Sequence, residues 1–226
     1  MDSKVYVNGK FVGNYPSGYN HFSYDITEFL NKDGSENTIA VQVTNKQPSS
    51  RWYSGSGIYR DVTLSYRDKV QVAENGNHIT TPKLAEQKDG NVETQIQSKI
   101  KNTAKNLAKV FVEQQIFTKE GKAVSDLVRS VTKSLAENET ADFKQTILVN
   151  KPTLWTTKSY HPQLYVLKTK VYNEGQLVDV TEDTFGYRYF NWTAKEGFSL
   201  NGERMKFHGV SIHHDNGALG AEENYK

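Results

Sequence analysis

The 226-residue sequence contains no cysteine, so disulfide bonds and thiolate zinc sites are excluded. It also lacks any run of about 18 apolar residues, and no membrane-spanning helix is predicted. The N-terminal residues carry no positively charged region followed by an apolar core, so no signal peptide is visible. The absence of cysteine does not indicate a cellular compartment, because it is compatible with a cytosolic protein and with a disulfide-free exported bacterial protein.

An excess of charge of one sign is also absent. Lys and Arg total 28 against 26 Asp and Glu, which gives a net charge of +2. This balance provides no electrostatic footprint for nucleic acid or an anionic membrane, so neither is expected as a partner. The mean hydropathy of −0.70 is typical of β domains that keep one sheet face in water. Composition does not indicate an oligomeric state.

Alternation of apolar and polar residues, the strand period, runs through residues 1–67. Asn8-Gly9 is a strong hairpin signal, and Asp25 is predicted to cap one short helical turn over 25–30. No start signal precedes the first hairpin, so we expect this sandwich-type domain to begin upstream of Met1. Strands are predicted around residues 5–7, 11–12, 39–43 and 62–66.

Residues 68–183 have a different texture, with about seven short strand-like runs separated by turn residues. This density of strands over roughly 100 residues is typical of an immunoglobulin-like sandwich. Without a disulfide, its core must come from apolar side chains alone. The runs span residues 77–84, 92–101, 109–117, 123–135, 142–149, 164–172 and 177–181.

The stretch from Gly197 to Gly220 begins with a hairpin around Asn201-Gly202. The return strand, 205–212, is apolar without clean alternation, which predicts burial on both faces. It is followed by His213, His214 and Asp215, and titratable groups at the end of a buried strand are typical of an α/β barrel. Only 11 residues follow Asp215, so we expect one strand of a truncated barrel.

Each candidate site residue also has a structural interpretation. Neighbouring strand side chains point to opposite faces, so His213 and His214 are not expected to hold one metal ion. A histidine in a polar pocket, with the other supporting a loop, fits better. Asp61 is either a surface carboxylate beside Arg60 or an acceptor for hydrogen bonds from sugar hydroxyls. The surface interpretation is favoured because most aspartate side chains in proteins are simply exposed.

The segments RWYSGSGIYRDV (51–62) and GFSLNGERMKFHGVSIHHDNGALG (197–220) resemble the β-galactosidases of glycoside hydrolase family 2. The segments at 5–27 and 148–172 also resemble that family, and the whole chain is similar to large exported enzymes of the streptococcal type. The resemblance implies an all-β fold in three parts. These are the end of a galactose-binding-like jelly roll (1–67), an immunoglobulin-like sandwich (68–183) and the first strand of a (β/α)₈ barrel (184–226).

The resemblance further implies a retaining enzyme that removes terminal β-linked galactose. Asp61 matches an aspartate that reaches the galactose, and His213 matches a histidine that lines the galactose site. His214 and Asp215 fall in the same motif. The Arg60-Asp61 pair favours a galactosidase over a glucuronidase.

In this family both catalytic groups are glutamates on later barrel strands, which we expect beyond Lys226. The isolated chain should therefore be inactive, with a β-galactoside or glycan as the substrate of the parent enzyme. The resemblance implies no cofactor, although a Mg or Na ion in the parent is compatible with it, and it suggests an extracellular or cell-surface location. The alternative is a non-catalytic carbohydrate-binding or adhesion module of two β-sandwiches.

Overall fold

The computed structural model describes residues 2–46, 56–158 and 162–210. The chain divides into two compact units, Met1–Leu64 with Val210–Lys226, and Ser65–Gly209. Apart from one 3₁₀ turn and one α-helical turn, the regular elements of the described residues are strands. The predicted all-β class is therefore confirmed.

The first unit contains a three-stranded antiparallel sheet in the order β2-β1-β3. The side chains of Val5 and Val7 are buried, as their alternation predicts. The strands are β1 Ser3–Val7, β2 Lys10–Tyr15 and β3 Ile39–Val43.

The turn between β1 and β2 has the predicted form, because Asn8 and Gly9 both adopt left-handed conformations with φ of 50° and 76°. The Asn8 side chain also joins distant segments. Its Nδ2 donates to the Phe29 carbonyl at 2.9 Å, and its Oδ1 accepts from the Thr38 amide at 2.9 Å. The turn residue therefore ties the hairpin to the segment between β2 and β3.

The predicted helical turn is a 3₁₀ turn at Thr27–Phe29. Asp25 Oδ1 accepts a hydrogen bond from the Thr27 amide at 2.9 Å, although it stands one position before the capping residue Ile26. The carboxylate therefore satisfies a free donor at the start of the turn, as predicted, in a slightly different register.

The predicted strand at 62–66 is wrong. Residues 61–68 contain no strand, and Tyr66 is 99% exposed, with Val62 and Leu64 also exposed. Alternation specifies a strand only when a neighbouring strand supplies hydrogen bonds and a second layer covers the apolar face. No strand among the described residues pairs with this segment.

The second unit contains a sandwich of two antiparallel sheets. One has the order β4-β5-β9, and the other has the order β11-β10-β6-β7, with β8 also pairing with β6. This arrangement is that of an immunoglobulin-like sandwich. The strands are β4 Val70–Thr80, β5 Asn91–Asn102, β6 Ala108–Thr118, β7 Val128–Arg129, β8 Lys133–Leu135, β9 Thr140–Asn150, β10 Tyr165–Asn173 and β11 Gln176–Phe185.

Most predicted runs coincide with these strands, but two differ. The run at 123–135 contains only the short strands β7 and β8. The run at 77–84 begins inside β4, which starts at Val70 and ends at Thr80, and the short helix α1, Leu84–Gln87, follows. The pairing of β4 with β5 shifts between Val72 and Asn77, so an extended bulge divides the strand. The sequence did not predict the start of β4, because the bulge residues interrupt the alternation of apolar and polar side chains.

Two apolar clusters form the sandwich core, and a layer of polar side chains separates them. Along β5, β6, β9 and β10 the inward-facing residue between the two clusters is polar in every case. The four residues are Ser98, Gln114, Gln145 and Thr169. We call them, together with Asn77 of β4, the polar layer.

Hydrogen bonds connect the members of the polar layer across the two sheets. Gln114 Nε2 donates to Ser98 Oγ at 2.8 Å and to Thr169 Oγ1 at 2.9 Å. Gln145 Nε2 donates to Gln114 Oε1 at 2.9 Å. Asn77 accepts from Ser98 at 2.5 Å and donates to Asp183 Oδ2 of β11 at 2.6 Å. These hydrogen bonds satisfy most of the buried polar groups of the layer and connect the two sheets.

A third antiparallel sheet in this unit has the order β12-β13-β14. Asn201 and Gly202 form its predicted hairpin turn, with φ of 53° and 83°. The strands are β12 Phe190–Thr193, β13 Gly197–Leu200 and β14 Glu203–Arg204.

The predicted return strand at 205–212 differs from the structure. Strand β14 ends at Arg204, and residues 205–210 form no strand, while 211 and 212 lie outside the described residues. Phe207 is 68% exposed. A strand buried on both faces needs strand neighbours and covering layers, and the described residues supply none here.

Candidate functional site

Asp61 follows a loop that two hydrogen bonds attach to residues 18 and 19. The Tyr59 hydroxyl donates to the Gly18 carbonyl at 3.0 Å, and Arg60 Nη1 donates to the Tyr19 carbonyl at 3.1 Å. The Arg60 guanidinium also lies 5.2 Å from the centre of the Tyr59 ring. The loop before Asp61 is therefore held in place by its own aromatic and basic residues.

The side chain of Asp61 is exposed. Among the described residues it forms no ion pair with Arg60, whose guanidinium binds a carbonyl instead. An exposed carboxylate can accept charge-assisted hydrogen bonds from sugar hydroxyls, but exposure is also the ordinary condition of aspartate. The role of Asp61 as a substrate ligand stays a prediction.

The other predicted site residues, His213, His214 and Asp215, lie outside the described residues. Within the described ranges, no three His, Cys, Asp or Glu side chains are placed to hold a metal ion. The same ranges contain no helix long and apolar enough to cross a membrane.

A polar groove of about 360 Å³ lies on the outer face of the β4-β5-β9 sheet. Its lining has no carboxyl group, whereas retaining glycoside hydrolysis needs two, about 5–5.5 Å apart. The groove is therefore not a hydrolytic site. It is lined by His78, Thr80, Gln95, Ile96, Gln97, Lys144, Gln145 and Thr146.

Asp179 anchors the segment through which the chain enters the sandwich. Its carboxylate is almost fully buried and accepts from the Val72 amide at 2.9 Å and from Arg67 Nη1 at 3.3 Å. Burial of a charge requires this pairing, because an unpaired carboxylate in the interior is costly. The sequence offered no signal for this pair, which is 112 residues apart.

Trp155 lies in the loop between β9 and β10 and contacts the segment through which the chain leaves the sandwich after β11. Its amide donates to the Tyr187 carbonyl at 2.8 Å, and its own carbonyl accepts from Asn201 Nδ2 at 2.8 Å. Its ring lies against Gly186, where an added Cβ would come within 2.9 Å of Trp155 Cβ. The Arg188 guanidinium is 4.8 Å from the ring centre.

Tyr187 is completely buried beneath this contact. Its hydroxyl is 2.8 Å from Thr94 Oγ1, and its ring packs edge-on against Tyr165. Burial raises the pKa of the Tyr187 phenol well above its usual range, with only partial compensation by the hydrogen bond to Thr94. Tyr187 therefore stays neutral and anchors the end of the sandwich.

The hairpin exposes an aromatic surface, formed by Phe190, Trp192, Phe198 and Phe207. The rings of Phe198 and Phe207 are 4.8 Å apart, and those of Trp192 and Phe198 are 5.4 Å apart. Three of the four residues are exposed. A contiguous exposed patch of large apolar side chains indicates a surface that another part of a protein covers.

Two family models match the chain. The family described as "Glycosyl hydrolases family 2, sugar binding domain" matches residues 2–68, and "Glycosyl hydrolases family 2" matches residues 76–188.

Curated relatives cover nearly the whole chain. Beta-galactosidase BoGH2A of Bacteroides ovatus is 38% identical over 99% of this chain, which spans 26% of that protein. A putative beta-glucuronidase of Formosa agariphila is 37% identical over 97% of this chain, which spans 20% of it. The chain thus corresponds to about a quarter or less of these relatives.

Solved structures agree. A glycosyl hydrolase family 2 member from Bacteroides cellulosilyticus superimposes with a TM-score of 0.87 at 34% identity, covering 98% of this chain and 29% of that one. The Bacteroides uniformis beta-glucuronidase has a TM-score of 0.80 at 30% identity, covering 99% of this chain and 27% of that one. With matching sandwich sheets and two matching family models, the chain belongs to glycosyl hydrolase family 2.

Proposed function

We propose that this chain is the sandwich region of a retaining β-galactosidase that hydrolyses terminal non-reducing β-D-galactose residues. The observation that carries the proposal is the 38% identity to a β-galactosidase over 99% of the chain. In this proposal residues 1–67 end a jelly-roll domain, 68–183 form the immunoglobulin-like domain, and 184–226 begin the catalytic barrel.

The proposed chemistry is a double displacement at the anomeric carbon through an oxocarbenium-like transition state. Its two carboxyl groups, a nucleophile and an acid/base, come from glutamates outside this chain. Asp61 and His213 bind the galactose, and His214 and Asp215 belong to the same binding motif. The carboxylate of Asp61 accepts hydrogen bonds from sugar hydroxyls.

Some relatives are named beta-galactosidase and others beta-glucuronidase, so their names alone do not indicate which of the two glycosides is the substrate. A glucuronide carries a carboxylate, and the negative charge of Asp61 repels a second negative charge placed nearby. Galactose carries only hydroxyls, which donate hydrogen bonds to the same group. Asp61 therefore favours the galactoside.

The test uses the polypeptide extended through the catalytic region, assayed with nitrophenyl β-galactoside and nitrophenyl β-glucuronide. We expect galactoside hydrolysis, and for Asp61→Asn a loss of about tenfold or more in kcat/KM for the galactoside. The substitution should also lower the ratio of kcat/KM for the galactoside to kcat/KM for the glucuronide. A wild-type preference for the glucuronide would overturn the specificity.

A second candidate function is a non-catalytic carbohydrate-binding module, favoured by the match of residues 2–68 to a sugar binding domain. Calorimetric titration of the 226-residue chain with galactose separates the candidates. The fragment proposal expects no measurable heat of binding and no turnover, because Asp61 supplies only one wall of a pocket. Saturable binding by this chain would favour the module.

A further inference from the structure

Asn201 sits in the turn of the β13-β14 hairpin but makes contacts that a turn does not require. Its backbone amide donates to the Tyr189 carbonyl at 2.8 Å, and its Oδ1 accepts from the Tyr189 amide at 3.2 Å. Its Nδ2 donates to the Trp155 carbonyl at 2.8 Å. The side chain thus acts like an additional peptide group, which accepts from one segment and donates to another.

The partner of Asn201 is itself immobilised by the sandwich. The Trp155 amide is bonded to the Tyr187 carbonyl, and Tyr187 is held by Thr94 of the central strand β5. The close approach of Gly186 to the Trp155 ring leaves this contact no room for a side chain. A continuous series of bonds therefore runs from the sandwich core to the hairpin turn.

In the sequence, the hairpin comes shortly before the candidate substrate-binding motif. Met205 still donates its amide to the Phe198 carbonyl at 3.0 Å, and His213 follows eight positions after Met205 in the sequence. Leu200 is the one buried residue of β12, β13 and β14, so the orientation of the hairpin depends on specific hydrogen bonds.

We propose that Asn201 is a positioning residue, which fixes the orientation of the hairpin on the sandwich and thereby the start of the segment that continues in the sequence to His213. This inference rests on the proposed function, since it assigns His213 to the galactose site. The Trp155 carbonyl bond carries the effect, because it joins the hairpin turn to the sandwich loop through partly buried groups. An ion pair between Lys158 and Glu203 also joins this loop to the hairpin, but both side chains are exposed and such pairs contribute little.

The alternative is that Asn201 is present only for its left-handed conformation. Three substitutions separate the two ideas. Asn201→Gly keeps the conformation and removes both side-chain bonds. Asn201→Asp keeps a favourable turn residue and the acceptor for Tyr189, but it removes the donor to Trp155. Asn138→Gly is the matched control, because Asn138 has a similar φ of 60°.

The first measurement is hydrogen exchange of the 226-residue chain. We expect Asn201→Gly and Asn201→Asp to accelerate exchange at residues 189–205 by about tenfold or more, without change in β5 and β6. The control Asn138→Gly should leave the exchange rates at residues 189–205 unchanged. Wild-type exchange in Asn201→Asp would show that only the turn matters and would overturn the proposal.

The second measurement is steady-state kinetics of the extended polypeptide with nitrophenyl β-galactoside. We expect both Asn201 variants to raise KM several-fold at a temperature where circular dichroism shows them fully folded, while Asn138→Gly leaves KM unchanged. Unchanged KM in both variants would refute the positioning role. A wild-type polypeptide without galactosidase activity would refute the proposed function instead, and the exchange result would still decide whether the link exists.

Discussion

The sandwich and the hairpin that follows it use similar apolar and aromatic residues with opposite results. In the sandwich, Phe143 is 1% exposed between two sheets, whereas Phe207 beside the hairpin is 68% exposed. The difference lies in the number of layers, because a sheet buries its apolar face only when a second layer covers it. The sandwich should therefore carry its own stability, while the hairpin depends on attachment.

The largest expected effect comes from comparing these two phenylalanines. Phe143→Ala should lower the free energy of unfolding by about 3–5 kcal/mol, since it removes transfer energy and leaves a cavity. Phe207→Ala should change it by less than about 0.5 kcal/mol. Urea unfolding followed by circular dichroism measures both. Equal losses would mean that the hairpin is as well packed as the sandwich.

A smaller effect is expected in the polar layer. Asn77→Ala removes the acceptor for the Ser98 hydroxyl and a donor to Asp183, which should lower the free energy of unfolding by about 1–3 kcal/mol. Gln95→Ala, on the exposed outer face of the adjacent strand, is the control and should be nearly neutral. If thermal unfolding shows the two variants to be alike, the layer does not stabilise the sandwich.

Alkaline pH should destabilise the sandwich through Tyr187. Its pKa is raised in the folded state by burial, so the unfolded chain releases this proton first, and stability falls as the pH rises above about 10. The slope from one such group is at most about 1.4 kcal/mol per pH unit. Tyr187→Phe should reduce this slope in urea titrations between pH 9 and about 11.

Tyr66 provides the matched control, because it is 99% exposed. Tyr66→Phe should leave the alkaline slope unchanged. A slope that is identical in wild type and Tyr187→Phe would contradict the assignment to the buried phenol.

The smallest change in stability is expected on the aromatic surface of the hairpin. Trp192→Ser should alter the free energy of unfolding by less than about 0.5 kcal/mol, yet it should reduce binding of a hydrophobic dye. Dye fluorescence and sedimentation velocity report these effects. If wild type forms a dimer that the substitution dissociates, the surface binds a second copy rather than a further domain.

Local signals in the sequence predicted a large part of the fold. Both Asn-Gly turns formed as expected, because the left-handed conformation of a tight hairpin restricts the residues that fit there. The long sandwich strands also followed their alternation. The polar layer was readable in principle, as a polar residue at the inward position of four strands, such as Ser98 between Ile96 and Ile100.

The candidate site was less predictable. The sequence suggested that Arg60 accompanies Asp61, but the guanidinium binds the Tyr19 carbonyl. No local pattern links Asn201 to Trp155 or Arg67 to Asp179, because each pair is brought together by the fold over many residues. The resemblance named Asp61 and His213 as sugar ligands, and this assignment stays a prediction.

The sequence by itself indicated the family through the resemblance of its segments. It also determined the all-β class and the positions of the turns, since these depend on local composition, alternation and backbone conformation. Tertiary structure decided which alternating segments became strands. Residues 62–66 and 205–210 have suitable apolar residues but form no strand, while β4 formed around a bulge. The physical reason is that a strand is completed by hydrogen-bonding neighbours and a covering layer, which come from elsewhere in the protein.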